Sequence, residues 1–262
     1  MSLQQTTEML EVSRAGAVAT ITLNRPEQRN ALSEALMREV IAVLEDIGRD
    51  KDVRAVVLAG SGPAFCAGHD LSEMVGRELD DYREVFEMCT RMMTAIHELP
   101  QPVIARVHGI ATAAGCQLVA ACDLAVASSD ARFATPGVKI GLFCTTPMVE
   151  VARAIGRKRA LELLLTGTPI SAATAAEWGL VNRVVAPDEL EAVTRELAEQ
   201  IAAASALTLA IGKRAFYDHI DMALPAAYEH CQAVMSDNAT AADAQEGIGA
   251  FLEKRAPTWT GR

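Results

Sequence analysis

The sequence predicts an α/β fold in which a parallel-rich sheet is followed by a C-terminal helical module. Strand and helix patterns alternate over roughly the first two-thirds of the 262 residues, and the last third has helical spacing almost throughout. Such alternation is typical of parallel sheets whose strands are joined by helices. We therefore expect a core in residues 1–200 and a helical module in residues 201–262.

The individual elements follow from hydrophobic periodicity and from turn residues. Alternating or continuous apolar runs predict the strands Val18–Leu23, Val53–Ala59, Val103–Val107, Leu124–Ala127 and Arg132–Ala134. Helical spacing predicts a helix that begins after Ser33, and then the helices Glu78–Leu99, Ala113–Cys122, Met148–Ile155, Arg157–Thr166, Ala172–Trp178 and Leu190–Ala204, with further helices as far as Phe251.

Charge and cysteine spacing exclude several classes of function. A net charge of −10 argues against nucleic acid or an anionic membrane as a partner. The six cysteines show no CxxC pair and no zinc pattern, so we expect reduced thiols and no metal site. No apolar run reaches the roughly 18 residues that a membrane span needs, and the first residues lack a signal-peptide pattern. We expect a cytoplasmic protein of bacterial type, or the mature part of an organelle protein.

Two segments that follow predicted strands have the composition of a ligand site. Gly60–Leu71 is rich in turn residues, and His108–Gln117 leads into a helix of very small residues. Ligands in parallel α/β folds bind beyond the carboxyl ends of the strands, and free N–H groups at a helix N-terminus stabilise negative charge. Close packing of helices is the alternative explanation for the same glycines and alanines.

The order of motifs along the chain resembles the crotonase superfamily, also called the enoyl-CoA hydratase/isomerase family. The resemblance runs from about residue 10 to residue 258 and rests on Asn24-Arg25-Pro26, Asn30-Ala31-Leu32, Phe65-Cys66-Ala67-Gly68-His69-Asp70-Leu71, Ala113-Ala114-Gly115-Cys116-Gln117-Leu118, Cys122-Asp123-Leu124, Phe133-Ala134-Thr135-Pro136, Leu165-Thr166-Gly167 and Trp178-Gly179-Leu180-Val181.

The resemblance implies a spiral of repeated ββα units with C-terminal helices that drive assembly into a homotrimer or hexamer. It implies an acyl-CoA substrate and no tightly bound cofactor. The thioester oxygen would lie between the backbone N–H groups of His69 and Ala114, and these main-chain donors tolerate a change of side chain. The positions that would line coenzyme A are Arg29, Ala31, His69, Asp70, Leu71, Ser72 and Ala114, with Lys254 and Arg255 near its phosphates, within the chain or from a neighbouring subunit. Ordinary surface charge is the alternative explanation for Arg29, Lys254 and Arg255.

The family pattern breaks at two catalytic positions. Hydratases of this family use two glutamates, and the aligned residues here are Gln117 and Gly137. Neither can carry a proton, and losing general acid–base help costs about 10²–10⁴ in rate per group. We therefore expect ordinary hydration to be weak or absent, which leaves isomerisation, decarboxylation, thioester hydrolysis or non-catalytic acyl-CoA binding open.

Other side chains are candidates for proton transfer. The imidazole of His69 titrates in a useful range, although it could equally point into the protein. Cys144 and Glu150 lie near the second missing glutamate in sequence. Asp70 is expected to brace its loop, and Gln117 could either bond a loop or face the acyl pocket.

Overall fold

The protein was analysed as a computed structural model that describes residues 5–262. Within these residues, eleven strands form two sheets: β1 (Gln5–Thr6), β2 (Leu10–Ala15), β3 (Val18–Leu23), β4 (Ala55–Gly60), β5 (Ala64–Cys66), β6 (Val103–Val107), β7 (Ile110–Thr112), β8 (Leu124–Ser128), β9 (Arg132–Ala134), β10 (Ile170–Ser171) and β11 (Arg183–Val185).

The described part of the chain has ten α-helices around the sheets: α1 (Glu34–Arg49), α2 (Leu79–Glu98), α3 (Ala114–Ala121), α4 (Pro147–Ile155), α5 (Arg157–Thr166), α6 (Ala172–Trp178), α7 (Leu190–Ala202), α8 (Ala206–His219), α9 (Leu224–Ala239) and α10 (Ala242–Glu253). Short 3₁₀ helices cover Pro26–Gln28, Leu71–Met74 and Pro136–Ile140. Among the described residues, no helix is both long and apolar enough to cross a bilayer.

The seven-stranded sheet has the order β1-β2-β3-β4-β6-β8-β11, and the four-stranded sheet has the order β10-β9-β7-β5. In the large sheet, all pairs from β3 to β11 are parallel, and only β1, β2 and β3 pair antiparallel. In the small sheet, β5, β7 and β9 are parallel and β10 is antiparallel. The chain thus passes repeatedly from one sheet to the other.

This passage generates three successive units of long strand, short strand and helix. The units are β4-β5-α2, β6-β7-α3 and β8-β9-α4. Each unit adds one strand to the large sheet and one to the small sheet, so the units wind into a spiral. The predicted α/β fold of repeated ββα units with C-terminal helices is confirmed.

The small sheet is the main part of the fold that hydrophobic periodicity did not predict. Strands β5 and β7 are three residues long and lie inside the segments that were interpreted as loops. Three residues contain too few alternations for a period-2 pattern to be recognised. These two strands position the candidate site, because β7 leads directly into α3.

One large apolar core lies between the sheets and the helices. Its fully buried members include Ile21, Leu36, Phe65, Met92 and Phe133. Helix α1 begins at the Ser33 cap, whose hydroxyl accepts the Leu36 N–H at 3.2 Å. This cap satisfies one of the otherwise unpaired donors of the first helical turn.

The C-terminal helices contribute little to this core. Helices α8 and α9 have no buried residue within the single chain. Large apolar side chains on α8 to α10 are instead exposed, among them Phe216, Tyr228, Met235, Phe251 and Leu252. The predicted boundary between residues 200 and 201 falls in the last turn of α7, and the connection to α8 spans residues 203–205.

Candidate active site

The backbone N–H of His69 takes no part in the hydrogen bonds that hold the loop around His69. Leu32 and His69 form an isolated parallel bridge. In it, the Leu32 N–H donates to the Gly68 carbonyl at 2.7 Å and the Asp70 N–H donates to the Leu32 carbonyl at 3.0 Å. In a parallel pairing of this kind, the N–H of the central residue faces the opposite side. Within residues 5–262 the His69 N–H has no backbone acceptor. The bridge therefore fixes the position of this donor and leaves it free to bind a ligand.

The N–H of Ala114 is a second free donor, because Ala114 is the first residue of α3. Gly68 brings the two donors together. A Cβ added at Gly68 would lie 2.9 Å from the Cβ of Ala113 and 3.4 Å from the nitrogen of Ala114, and Gly68 has a φ of +93°. Only glycine allows this approach, and His69 and Ala114 consequently line the same cavity.

Helix α3 also packs on the backbone of β5. A Cβ at Gly115 would overlap the carbonyl oxygen of Cys66, and the Thr112 hydroxyl donates to the Ala67 carbonyl at 3.0 Å. The small residues of this segment therefore serve both purposes that the sequence left open. Gly115 permits close packing of the helix, and Gly68 permits close approach of the two donors.

Backbone strain is present directly before the Ala114 donor. Ala113 has φ 50° and ψ −120°, a conformation that disfavours any side chain and costs about 1–3 kcal/mol. Its N–H donates to the Ala134 carbonyl at 2.9 Å, which helps to hold it there. The strained turn orients the first N–H of α3 towards the cavity.

Arg25 is a positioning residue to which the sequence analysis assigned no role. Its guanidinium contacts the Asp70 carboxylate at 3.0 Å and the Ala31 carbonyl at 2.6 Å. Asp70 also accepts the Ser72 hydroxyl at 2.6 Å. The Ser72 and Arg25 hydrogen bonds hold the pKa of the Asp70 carboxyl below its usual range. Asp70 therefore braces the loop as an ionised carboxylate.

A cavity of about 290 Å³ lies beside the two donors. Its walls come from the His69 loop, from α2 through Phe86, and from the chain between β9 and α4. Most of the lining is apolar, including Leu71, Ile140, Leu142, Phe143 and Pro147. Among the described residues, no aspartate or glutamate lines it. The cavity suits an uncharged acyl chain.

His69 is one of the residues that line this cavity. Its ring lies edge-on to Phe86, with 5.5 Å between the ring centroids. Both ring nitrogens are buried, and neither has a hydrogen-bond partner within the described chain. Burial lowers the pKa of the imidazole to about 4, because the charged form loses its hydration. The ring is therefore neutral at pH 7.

Gln117 and Gly137 occupy different surroundings. Gln117 is buried, its Oε1 has no partner among the described residues, and it shares a helix face with Ala113 and Ala114. Gly137 lines the cavity, but a Cβ there would overlap the Leu142 carbonyl oxygen and lie 2.8 Å from the Cys144 Sγ. A side chain at position 137 would need a different path of the following turn.

The residues expected to line coenzyme A divide into two groups. Arg29, Ala31, Leu71 and Ser72 surround the His69 loop, and the Arg29 carbonyl accepts the Ala67 N–H at 3.0 Å. Lys254 and Arg255 follow α10 and do not line the cavity. The Arg255 guanidinium already contacts Glu246 and Glu253, each at 2.7 Å. A role for these two side chains towards a neighbouring subunit's ligand stays a prediction.

The two other candidates for proton transfer are unsuitable, one because of its position and the other because its thiol stays protonated. Glu150 lines a second cavity of about 810 Å³ beside α8, together with His97 and Tyr217. Cys144 does line the acyl-sized cavity, but burial raises the pKa of its thiol. The thiol therefore stays protonated and is a weak nucleophile at neutral pH.

Comparison with known proteins identifies the family of this chain. A sequence profile described as enoyl-CoA hydratase/isomerase matches residues 13–262. The chain belongs to the enoyl-CoA hydratase/isomerase family. It is 45% identical over 244 residues to the mitochondrial enoyl-CoA hydratase domain-containing protein 3 of Rattus norvegicus, which covers 93% of this chain and 81% of that protein. The human protein of the same name is also 45% identical over 244 residues, covering 93% and 80%.

Solved structures of the enoyl-CoA hydratase/isomerase family share the fold closely. An enoyl-CoA hydratase from Mycobacterium smegmatis is 50% identical, with a TM-score of 0.94 over 96% of this chain and 98% of that chain. Human enoyl-CoA hydratase domain-containing protein 3 is 44% identical, with a TM-score of 0.93 over 96% and 100%. The resemblance that the motifs indicated is confirmed.

Proposed function

We propose that this protein binds an acyl-CoA and stabilises a thioester enolate between the N–H groups of His69 and Ala114. The observation that carries the proposal is the pair of unpaired backbone donors beside an apolar cavity. Donors that are held in place before the reaction stabilise developing negative charge, and loss of one costs about 10²–10³ in rate. The reaction belongs to the enoyl-CoA hydratase/isomerase type, a lyase or a related enolate enzyme of fatty-acid or similar acyl-CoA metabolism.

The environment of position 137 favours chemistry other than ordinary hydration. The direction that a side chain would take from Gly137 is filled by the Leu142 carbonyl oxygen and the Cys144 Sγ. No carboxylate among the described residues lines the cavity. We therefore place isomerisation, decarboxylation and thioester hydrolysis ahead of water addition. The alternative that is not an enzyme is a protein that binds acyl-CoA without turnover.

Carbonyl polarisation tests the oxyanion hole directly. Butyryl-CoA labelled with ¹³C at the thioester carbonyl should show a lower carbonyl stretching frequency in difference infrared spectra when bound. Two N–H donors polarise the C=O bond, and free coenzyme A at equal concentration controls for nucleotide binding. Binding of butyryl-CoA with an unchanged carbonyl frequency would contradict the proposal.

A panel of acyl-CoAs followed by mass spectrometry distinguishes the reactions. The panel should include crotonyl-CoA, 3-hydroxybutyryl-CoA, a 3-enoyl-CoA, a malonyl-type thioester and a saturated acyl-CoA. A change of mass identifies water addition or loss, carbon dioxide loss, or release of free coenzyme A. Isomerisation leaves the mass unchanged and is followed by chromatographic retention. Binding of several members without any conversion would support the non-catalytic alternative.

We also propose assembly into a homotrimer or hexamer through the C-terminal helices. Exposed Phe216, Tyr228, Met235, Phe251 and Leu252 on α8 to α10 support this, because large apolar surfaces on isolated helices are normally covered. Analytical ultracentrifugation measures the mass of the particle. A monomer at micromolar concentration would contradict the assembly but would leave the acyl-CoA site untouched.

A further inference from the structure

We infer that the acyl-CoA of this site carries a fatty acyl chain of medium or greater length, which leaves the cavity and lies on an apolar rim at its mouth. The rim consists of Leu71, Leu79, Ile140 and Leu142. This inference rests on the proposed function and names the substrate class of the same site. A short acyl group such as butyryl would end inside the cavity and leave the rim uncovered.

Three rim residues belong both to the cavity and to the protein surface. Leu71, Ile140 and Leu142 line the cavity, yet they are 52%, 62% and 43% exposed. A cavity that closed around a short ligand would bury such residues. The apolar lining instead continues outwards into water, and a contiguous exposed apolar surface normally marks a place where a ligand or a partner binds.

Helix α2 continues the apolar wall beyond the cavity. Phe86 lines the cavity, and Tyr82 and Leu79 lie four and seven residues before it in the same helix. Residues at these spacings share one helix face. Leu79 is 63% exposed. The stripe therefore runs from the cavity to the N-terminal end of α2, where it finishes in a leucine that is open to water.

A hydrogen bond holds the two parts of this wall together. The Tyr82 hydroxyl donates to the Met74 carbonyl at 2.7 Å, and Met74 is the last residue of the 3₁₀ helix that begins at Leu71. This bond keeps the short helix beside α2. Leu71 and Phe86 accordingly line the same cavity, and the rim residues Leu71 and Leu79 form the outer edge of one surface.

Charged side chains near the rim are turned elsewhere. Glu73 accepts the Glu34 N–H at 2.9 Å and Arg77 pairs with the Glu34 carboxylate, so both contact the first turn of α1. Of the residues that the structure describes, only Lys139 brings a full charge to the cavity lining. A Cβ at Gly167 would lie 3.3 Å from the Lys139 Cε, so the lysine stem packs beside the end of α5 and its ammonium stays in water. The rim therefore suits a chain without charge.

A chain-length series tests the inference by isothermal titration calorimetry. Saturated acyl-CoAs from butyryl-CoA to dodecanoyl-CoA are titrated into the wild-type protein below their micelle concentrations, with free coenzyme A as the reference. Full burial of a methylene raises affinity about fourfold, and partial exposure on the rim should reduce this to about twofold. We therefore expect decanoyl-CoA to bind on the order of 50-fold more tightly than butyryl-CoA. An affinity that stops rising at hexanoyl-CoA would overturn the inference, because the chain would then end inside the cavity.

Variants of the rim locate the bound chain. Leu79→Gln and Ile140→Gln change exposed side chains, so folding should be little affected. Each should lower the ratio of decanoyl-CoA to butyryl-CoA affinity by about threefold to tenfold. Leu165→Gln is the matched control, since Leu165 is 60% exposed on α5 and does not line the cavity. Its affinity ratio should equal that of the wild type.

The remaining outcomes separate this inference from the proposed function. Equal affinity ratios in the wild type and both rim variants would overturn the inference. Affinity that does not depend on chain length, together with a changed particle mass of Leu79→Gln in analytical ultracentrifugation, would also overturn it and would assign the rim to a neighbouring subunit. Both results leave the proposed function intact as long as butyryl-CoA binds. Failure of every acyl-CoA to bind more tightly than free coenzyme A would overturn both.

Discussion

The Gly137 carbonyl accepts the Leu142 N–H at 3.0 Å, and the same turn places the Leu142 carbonyl oxygen where a Gly137 Cβ would have to lie. This relationship makes the absence of a side chain at position 137 a property of the backbone as well as of the residue. Introducing a larger residue there would therefore change the turn between β9 and α4. It would not simply add a side chain to the present site.

Gly137→Ala should lower the free energy of unfolding by about 1–3 kcal/mol, because overpacking forces the backbone to shift. Gly212→Ala is the matched control, since a Cβ there meets nothing within 4 Å and alanine is the better helix former. It should be neutral or stabilising. Urea denaturation followed by circular dichroism measures both, and equal effects would contradict the described turn.

Gln117→Met should raise the free energy of unfolding of the unliganded protein. The Gln117 Oε1 is buried and unpartnered among the described residues, and removing such an atom relieves about 1–3 kcal/mol. Gln101→Met is the control with opposite sign. The Gln101 Oε1 is unpartnered as well, but the change also removes the bonds of the Gln101 amide nitrogen to the Ile47 carbonyl at 3.0 Å and the Val53 carbonyl at 3.2 Å. A destabilised Gln117→Met protein would show that the amide has a partner after all.

Ala113→Gly should stabilise the protein by about 1 kcal/mol or more, because glycine adopts the observed φ of 50° without a Cβ clash. Ala120→Gly in the same helix should have the opposite effect, a loss of about 1 kcal/mol. Thermal unfolding of the two variants in one buffer gives the comparison. Destabilisation by both would argue that Ala113 is not strained.

Arg25→Ala should weaken the loop that carries the His69 donor. The ion pair with Asp70 spans 45 residues of sequence and is largely shielded from water, so we expect a loss of about 1–3 kcal/mol and a raised KM for acyl-CoA. Arg38→Ala breaks an exposed pair with Glu34 and should cost less than about 1 kcal/mol. Similar losses in the two variants would mean that Arg25 does not brace the site.

Stability should depend on pH through His69. The folded-state pKa is about 4 and the ordinary value is 6.5, so the unfolded chain binds the extra proton between these values. Stability is therefore lost as the pH falls from about 6.5 towards 4, by at most about 3 kcal/mol from this group. The His69→Phe variant should show a shallower loss in the same window. Parallel pH curves for variant and wild type would place the imidazole in water.

Most of the large sheet and its helices could be predicted from the sequence because their hydrophobic patterns are long. Val103–Val107 and Arg157–Thr166 agree residue for residue with the observed β6 and α5. The three-residue strands β5 and β7 remained hidden in glycine-rich segments. Their pairing depends on partners distant in sequence, which periodicity within one segment does not reveal.

The two proposed oxyanion donors, His69 and Ala114, could be named from motifs, whereas the residues that support them could not. Arg25 was visible only as part of an Asn-Arg-Pro motif, and its contact with Asp70 joins two segments that nothing in the local sequence links. Phe86 was likewise unremarkable on a mostly polar helix, although it forms a wall of the cavity. A positively charged residue in an otherwise turn-forming motif was the one available signal.

The Leu32–His69 bridge has a consequence for how this scaffold can change over evolutionary time. The bridge uses the Gly68 carbonyl and the Asp70 N–H and leaves the His69 amide free. The position of the His69 donor therefore depends on the main chain and not on the side chain at position 69. The side chain at position 69 is then open to variation by single codon changes, each of which would place a different chemical group beside the thioester that we propose is bound there. The type of reaction could thus change during evolution without passing through a variant that no longer binds the substrate.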